Sequence, residues 1–212
     1  MKKWLAILLS AISLLGLTAC GSGNDAGEKA TDKISVSVTF DAMRAFTEAV
    51  GGDHVQVSTI IPDGTEPHDF EPKAQDLKAL STAKVFVYNG FGMETWADDA
   101  VSAADNSSLV TVEASKGAEA ITNTDKAEIA EHGQYDPHLW LSLKGAETEA
   151  QNIRDGLIQA DPNHAEDYRK NCTDFVAQLE SLYQEYDRKF QSVSQKSIVT
   201  GHAAFAYLCR DF

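Results

Sequence analysis

The chain has 212 residues, of which 43% are apolar, enough for one or two domains with a true hydrophobic core. Asp and Glu outnumber Lys and Arg by 32 to 18, so the formal net charge is −14 at pH 7. Because no basic patch interrupts this acidic composition, nucleic acid is excluded as a predicted partner.

The N-terminus predicts an export signal with a lipid attachment site. Two lysines precede an apolar run over residues 4–17, which is too short for a membrane-spanning helix. Small residues then precede Cys20, as in a bacterial lipoprotein signal; an ordinary signal peptide with an incidental cysteine is the alternative. We predict a signal peptide over residues 1–20, acylation of Cys20 and a flexible tether over residues 21–33. The mature protein would be extracytoplasmic and lipid-anchored to the bacterial cell membrane.

Strand and helix patterns then alternate, which predicts an α/β fold with a parallel sheet and helices on both faces. The expected strands cover residues 34–40, 55–61, 84–88 and 109–112. The expected helices cover residues 41–50, 73–83, 93–104 and 144–159. The polar segment from Ala114 to Tyr135 reads as a long mobile loop, and Leu139–Leu141 as a short extended piece.

A long amphipathic helix follows, from about Asn163 to Gln191. Its length, and a further strand expected at residues 197–200, predict that it links two lobes. The alternative is a helix that lies along the first lobe. We assign residues 34–162 to an N-terminal α/β lobe, 163–192 to the linking helix and 193–212 to the start of a C-terminal α/β lobe. The second lobe would be mostly missing, as in a truncated chain.

Three histidines lie in short loops that have distinctive residue patterns. His68 and His138 each follow a proline, which restricts the backbone just before the imidazole. His202 follows the strand expected at residues 197–200. Ligands of parallel α/β lobes bind where strands end, so a fold that brings the three imidazoles together predicts a zinc-type metal site. Any one of these histidines alone is more simply explained as a structural residue.

Other candidates are weaker. His132 lies in an acidic loop and is a possible auxiliary ligand, although a plain surface loop is the favoured explanation. His54 and His164 are expected to be solvated or capping residues. Cys172 and Cys209 could pair outside the cytoplasm, but two free thiols are favoured. Five aromatic residues could form a wall around the site or simply pack in the core: Tyr88, Phe91, Trp96, Trp140 and Phe205.

Four segments, in this order, resemble the metal-specific solute-binding lipoproteins of ABC importers for zinc and manganese. They are Gly64–Pro72, Val87–Trp96, Asp136–Leu141 and Thr200–Leu208. The resemblance implies two α/β lobes joined by a long rigid helix, with metal in the cleft. It also implies that His68, His138 and His202 are metal ligands and that a fourth ligand, a carboxylate, lies beyond the chain end.

The resemblance favours Zn²⁺ over Mn²⁺, because the third ligand position is typically His in zinc binders and Glu in manganese binders. It implies a monomeric, non-enzymatic protein that captures the metal and delivers it to an ABC permease in the cytoplasmic membrane. The alternatives are a manganese binder of the same family, a zinc-dependent hydrolase, and an adhesin or organic-solute binder with incidental histidines. The hydrolase would need a positioned general base, and the sequence has no His-Glu-x-x-His pair.

Overall fold

The computed structural model describes residues 33–212, apart from the side chains of Glu131 and His132. The predicted signal peptide, the lipidated Cys20 and nearly all of the predicted tether lie outside these residues. Residues Lys33–Phe212 form one compact unit. None of the helices in this part of the chain is both long enough and apolar enough to cross a membrane.

Four parallel strands form one sheet in the order β2-β1-β3-β4. They are β1 (Ile34–Val38), β2 (Val55–Thr59), β3 (Val85–Tyr88) and β4 (Val110–Glu113). The central strand β3 buries Val85, Phe86 and Val87 completely, as its unbroken apolar run predicts. The predicted α/β architecture with a parallel sheet is therefore confirmed.

Helices cover both faces of the sheet. They are α1 (Asp41–Gly51), α2 (Ala97–Ala104), α3 (Lys126–His132), α4 (Leu143–Ala160), α5 (Ala165–Ser192) and α6 (Ala206–Asp211). The β3 face that carries Val85 and Val87 packs in the core formed with α1, α4 and α5. Phe86 points to the other face, where it packs with α2 and a 3₁₀ turn over Asp76–Ser81. Removing this much apolar surface from water is the main stabilising contribution to the fold.

The long helix α5 has 28 residues, which corresponds to about 42 Å. Its first half buries Tyr168 and Cys172 against α1 and α4. Its second half exposes three large apolar side chains, those of Leu182, Tyr186 and Phe190. The predicted division into a lobe, a linking helix and a second lobe stays a prediction.

The strand expected at residues 197–200 is wrong. This segment is irregular, and Ile198 and Val199 are 61% and 100% exposed. A strand needs a neighbour for its backbone hydrogen bonds, and the sheet of the described residues ends at β2 and β4, without this segment. The helix α6 begins after this segment, at Ala206.

The segment from Ala114 to Tyr135 is not a continuous loop. It contains α3, and Asp125 caps this helix by accepting hydrogen bonds from the backbone N–H groups of Ala127 and Glu128. An isolated antiparallel bridge joins Thr122 to Tyr135. The Asp-x-x-Glu pattern at residues 125–128 was the signal for this helix that the sequence reading missed.

Three other predicted elements differ from those in the structure. Leu139–Leu141 is a 3₁₀ turn and not an extended piece. The helix expected over residues 73–83 is reduced to the 3₁₀ turn at Asp76–Ser81, and the helix expected from Met93 begins at Ala97. The later start of α2 follows from the loop before it, where the Glu94 side chain turns back to bind the backbone N–H groups of residues 89 and 90.

Candidate metal centre

The three predicted histidines lie together beyond the carboxyl ends of the strands. His68 is in the loop after β2, His138 follows the segment after β4, and His202 precedes α6. The Nε2 atom of His138 lies 3.0 Å from Nε2 of His68 and 2.9 Å from Nε2 of His202. Among the residues that the structure describes, these three histidines form the group whose ligand atoms lie close enough together to share one metal ion.

The spacing of these nitrogens fits a zinc-sized ion. Zinc binds imidazole nitrogen at about 2.0–2.1 Å, so two nitrogens of a tetrahedral site are separated by roughly 3.3 Å. The observed 3.0 and 2.9 Å are slightly shorter. The ligand atoms of all three histidines lie within 4.8 Å of one another. Small movements of the rings, with His68 and His202 approaching each other, would bring the three nitrogens to bonding distance of one ion, whereas a shared proton could bridge only two of them at a time.

His138 is the most firmly held of the three. It is 2% exposed, and one oxygen of Asp136 accepts hydrogen bonds from its backbone N–H (2.9 Å) and its Nδ1 (2.8 Å). A carboxylate oxygen can only accept, so Nδ1 carries the hydrogen and Nε2 is the nitrogen that can bind a metal. This carboxylate–imidazole pair is the usual support of a histidine metal ligand.

His68 lies near Glu66. The Oε1 atom of Glu66 accepts a hydrogen bond from the His68 backbone N–H at 3.3 Å and lies 4.0 Å from His68 Nε2. The Glu66 side chain is 61% exposed, whereas that of His68 is 11% exposed. Glu66 is therefore a solvent-exposed carboxylate at the edge of the centre.

His202 reaches the centre because hydrogen bonds hold the following helix, α6, against the chain around residues 121 and 136. The hydroxyl of Tyr207 donates to the Asp136 carbonyl oxygen at 2.7 Å and accepts from the Ile121 backbone N–H at 3.0 Å. Burial raises the pKa of Tyr207, which keeps the hydroxyl protonated as a donor. At the far end of the helix, Asp211 accepts a hydrogen bond from the Ser142 hydroxyl at 2.5 Å.

The aromatic residues divide between the site and the core. The Trp140 ring lies 5.3 Å from the His138 ring, and Phe91 and Tyr135, with ring centroids 6.4 Å apart, line a cavity of about 600 Å³ together with His68. Tyr88 and Trp96 instead pack against Phe86. Phe205 stands at the residue before α6. The predicted aromatic wall is thus partly core packing.

His132 belongs to α3, but its side chain is outside the described part of the chain, so its auxiliary role stays a prediction. Cys172 and Cys209 are free thiols, the first buried and the second exposed. Cys20, the predicted lipidation site, is also outside the described residues.

His54 and His164 are not simply solvated. Their rings stack at 3.9 Å, His54 Nε2 lies 2.9 Å from an Asp167 oxygen, and His164 Nδ1 lies 2.6 Å from an Asp161 oxygen. The pair joins the turn before β2 to the start of α5, at the amino ends of the strands, whereas the three-histidine centre lies at their carboxyl ends.

Two buried carboxyl groups were missed by the sequence reading. Glu94 accepts hydrogen bonds from Thr39 Oγ1 and from two backbone N–H groups. Glu149 is fully buried on α4; burial and the nearby Glu94 raise its pKa well above the usual range. No sequence pattern marks either residue, because a glutamate on an otherwise polar segment is usually exposed.

The sequence matches the family described as zinc-uptake complex component A periplasmic over residues 36–212. A protein of Treponema pallidum described as a putative metal-binding protein is 43% identical over an alignment of 202 residues, which covers 92% of this chain and 64% of the relative. The Bacillus subtilis high-affinity zinc uptake system protein ZnuA is 34% identical over 221 residues, all of this chain and 69% of the relative. The chain thus spans about two thirds of the length of these relatives.

Solved structures agree with the sequence matches. A zinc-bound ZnuA deletion mutant has a TM-score of 0.77 and 31% identity, covering 85% of this chain and 67% of that one. Zinc-bound AdcA from Streptococcus pneumoniae has a TM-score of 0.76 and 34% identity, covering 84% of this chain and 37% of that one. The family is a transport component and not an enzyme family, as the sequence predicted. The chain belongs to the zinc-uptake complex component A periplasmic family, whose relatives include ZnuA and AdcA.

Proposed function

We propose that this protein captures Zn²⁺ outside the cytoplasm through the Nε2 atoms of His68, His138 and His202, and delivers it to an ABC permease. The observation that carries the proposal is the meeting of these three nitrogens, at 3.0 and 2.9 Å around His138. The zinc-uptake family membership and the zinc-bound relatives support the same cargo.

The ligand atoms favour zinc over manganese. Imidazole nitrogen suits zinc, whereas manganese prefers carboxylate, carbonyl and water oxygens. All three converging atoms here are imidazole nitrogens, and the Glu66 carboxylate lies only at the edge of the centre, 4.0 Å from His68 Nε2. A water molecule or a carboxylate would complete four-coordination.

Capture and release follow from the chemistry of the ligands. Zinc displaces protons from imidazole, so acid weakens binding. Asp136 holds the His138 ring in place, whereas His202 lies in the loop just before α6. Movement of that loop away from His68 and His138 would remove one of three ligands and lower the affinity. The protein would act as a monomer, anchored through a lipid on Cys20.

Thermal unfolding of the metal-stripped chain, with and without Zn²⁺ or Mn²⁺, tests this function. A ligand at 100 times its dissociation constant adds about 2.7 kcal/mol to the stability of the native state. We expect Zn²⁺ to raise the midpoint more than Mn²⁺ and the His202→Ala variant to lose most of the rise. Equal midpoints with and without either metal would contradict metal capture.

A further inference from the structure

Asn89 stands directly after β3, and its backbone groups and side-chain Nδ2 are hydrogen-bonded, whereas its Oδ1 is buried without a partner among the described residues. Its backbone N–H donates to Glu94 Oε1 and its carbonyl accepts from the Ser115 N–H, both at 2.9 Å. Its side-chain Nδ2 donates to the carbonyl oxygens of Gly90 and Pro137, also both at 2.9 Å. The residue is completely buried, so none of these bonds is exchanged with solvent.

The buried Glu94 carboxylate fixes the loop that contains Asn89. One of its oxygens accepts from Thr39 Oγ1 at 2.7 Å as well as from Asn89, and the other accepts from the Gly90 N–H at 3.1 Å. The loop backbone is left-handed at three consecutive residues, with φ of 92°, 52° and 89° at Gly90, Phe91 and Gly92. Phe91 is a non-glycine residue in this region, and such strain persists only where the surroundings hold it.

The Pro137 carbonyl closes the tight turn that carries His138. It accepts the Leu139 N–H at 2.8 Å, and His138 at the centre of the turn has φ −80° and ψ 42°. These values are close to an inverse γ-turn. A carbonyl oxygen has two lone pairs, and here Leu139 and Asn89 use both. Asn89 is therefore attached to the backbone atom that precedes the most buried histidine of the metal centre.

We propose that Asn89 is a positioning residue of the metal centre, which holds the Pro137 carbonyl and thereby sets the direction of His138 Nε2. The inference rests on the proposed zinc function and adds a residue that touches neither the metal nor an imidazole. Asp136 holds the His138 ring from one side, and Asn89 holds its backbone from the other. Partners that bind a ligand imidazole directly typically contribute 10–100-fold to metal affinity, and Asn89, which acts through the backbone, should contribute about the lower end of this range.

Asn106 provides a matched control. Its Nδ2 also donates to two backbone carbonyls, those of Leu80 and Ala83, at 2.9 and 2.8 Å. It lies before β4, at the amino edge of the sheet, whereas the three histidines lie at the carboxyl edge. Replacing Asn106 by Ala removes two donations to backbone carbonyls, together with the acceptor of the Ser108 N–H and hydroxyl, and leaves the surroundings of His138 intact.

The test measures zinc affinity by competition with a chromophoric chelator, the visible spectrum of bound Co²⁺, and the thermal midpoint of the metal-free protein. It compares the unchanged full chain with Asn89→Ala, Asn89→Leu and Asn106→Ala. The leucine keeps roughly the shape of Asn89 but has no donor for the Pro137 carbonyl, so it decides the outcome if the alanine variant does not fold.

We expect both Asn89 variants to bind zinc about 10-fold more weakly and to change the Co²⁺ spectrum. Asn106→Ala should lower the metal-free midpoint while keeping the unchanged chain's affinity and spectrum. Asn89 variants with unaltered affinity and spectrum would overturn the positioning role, and so would an equal loss of affinity in Asn106→Ala. Failure of the unchanged chain to bind zinc would instead overturn the proposed function.

Discussion

A single oxygen of Asp136 accepts two hydrogen bonds from His138, one from the backbone N–H at 2.9 Å and one from Nδ1 at 2.8 Å. The two residues are separated only by Pro137, whose ring restricts the backbone between them. This arrangement fixes both the position of the imidazole and the nitrogen that faces the other two histidines.

Replacing Asp136 by Asn should weaken zinc binding by roughly 10–100-fold, because an amide orients the imidazole less strongly and makes it a poorer electron donor. A chelator competition assay measures this loss. Asp63→Asn is the matched control, since Asp63 is an exposed carboxylate at the same sheet edge. Equal affinities of Asp136→Asn and the unchanged chain would show that the hydrogen bond has no part in metal binding.

Replacing Tyr207 by Phe should destabilise the metal-free protein by about 1–3 kcal/mol, because the buried Ile121 N–H and Asp136 carbonyl each lose a partner. Urea unfolding measures the change. The same substitution at Tyr186, whose side chain is largely exposed, should have little effect. Similar losses in both variants would contradict the anchoring role of the Tyr207 hydroxyl.

The buried Glu149 should make the protein less stable as pH rises. Burial and the nearby Glu94 raise its pKa in the folded state, so between its unfolded pKa and that raised value the folded state binds the extra proton. Stability therefore falls with increasing pH in this window, by at most about 1.4 kcal/mol per pH unit for one proton.

The Glu149→Gln variant tests this pH dependence, because the amide cannot titrate. Urea unfolding at several pH values between 5 and 8 should give a smaller decline of stability for the variant than for the unchanged chain. Parallel pH profiles of the two proteins would refute the assignment of the decline to Glu149.

The two cysteines of the described residues should react very differently with a thiol reagent. Cys209 is exposed, whereas Cys172 is buried on α5 and burial raises the pKa of its thiol. Since the thiolate is the reactive form, only Cys209 should be modified rapidly in the native protein. Peptide mass spectrometry after short labelling identifies the modified residue. Rapid labelling of Cys172, or a disulfide between the two, would contradict the packing of α5.

The sequence predicted the sheet well, because each strand carries a local signal. The apolar run Val85–Val87 predicted a strand buried on both faces, and the prolines before His68 and His138 marked two loops of the metal centre. The third histidine was found for a partly wrong reason, since the strand expected before His202 is absent and α6 alone places it.

The supporting residues could not be predicted in this way. Asn89 and Glu94 act through bonds to Pro137 and to the backbone of their own loop, and such contacts have no periodicity in a sequence. Glu149 lies on α4, a helix rich in polar residues, and only the packed structure shows that it faces inward. The short helix α3 did carry a capping signal at Asp125, which the polar composition of its surroundings concealed.

X-ray absorption at the zinc edge of the loaded protein counts and identifies the atoms that bind the metal. We expect three imidazole nitrogens at about 2.0–2.1 Å, and one imidazole fewer in His138→Ala. A ligand shell of sulfur or of oxygen alone, or one that is unchanged in His138→Ala, would contradict a centre built from His68, His138 and His202.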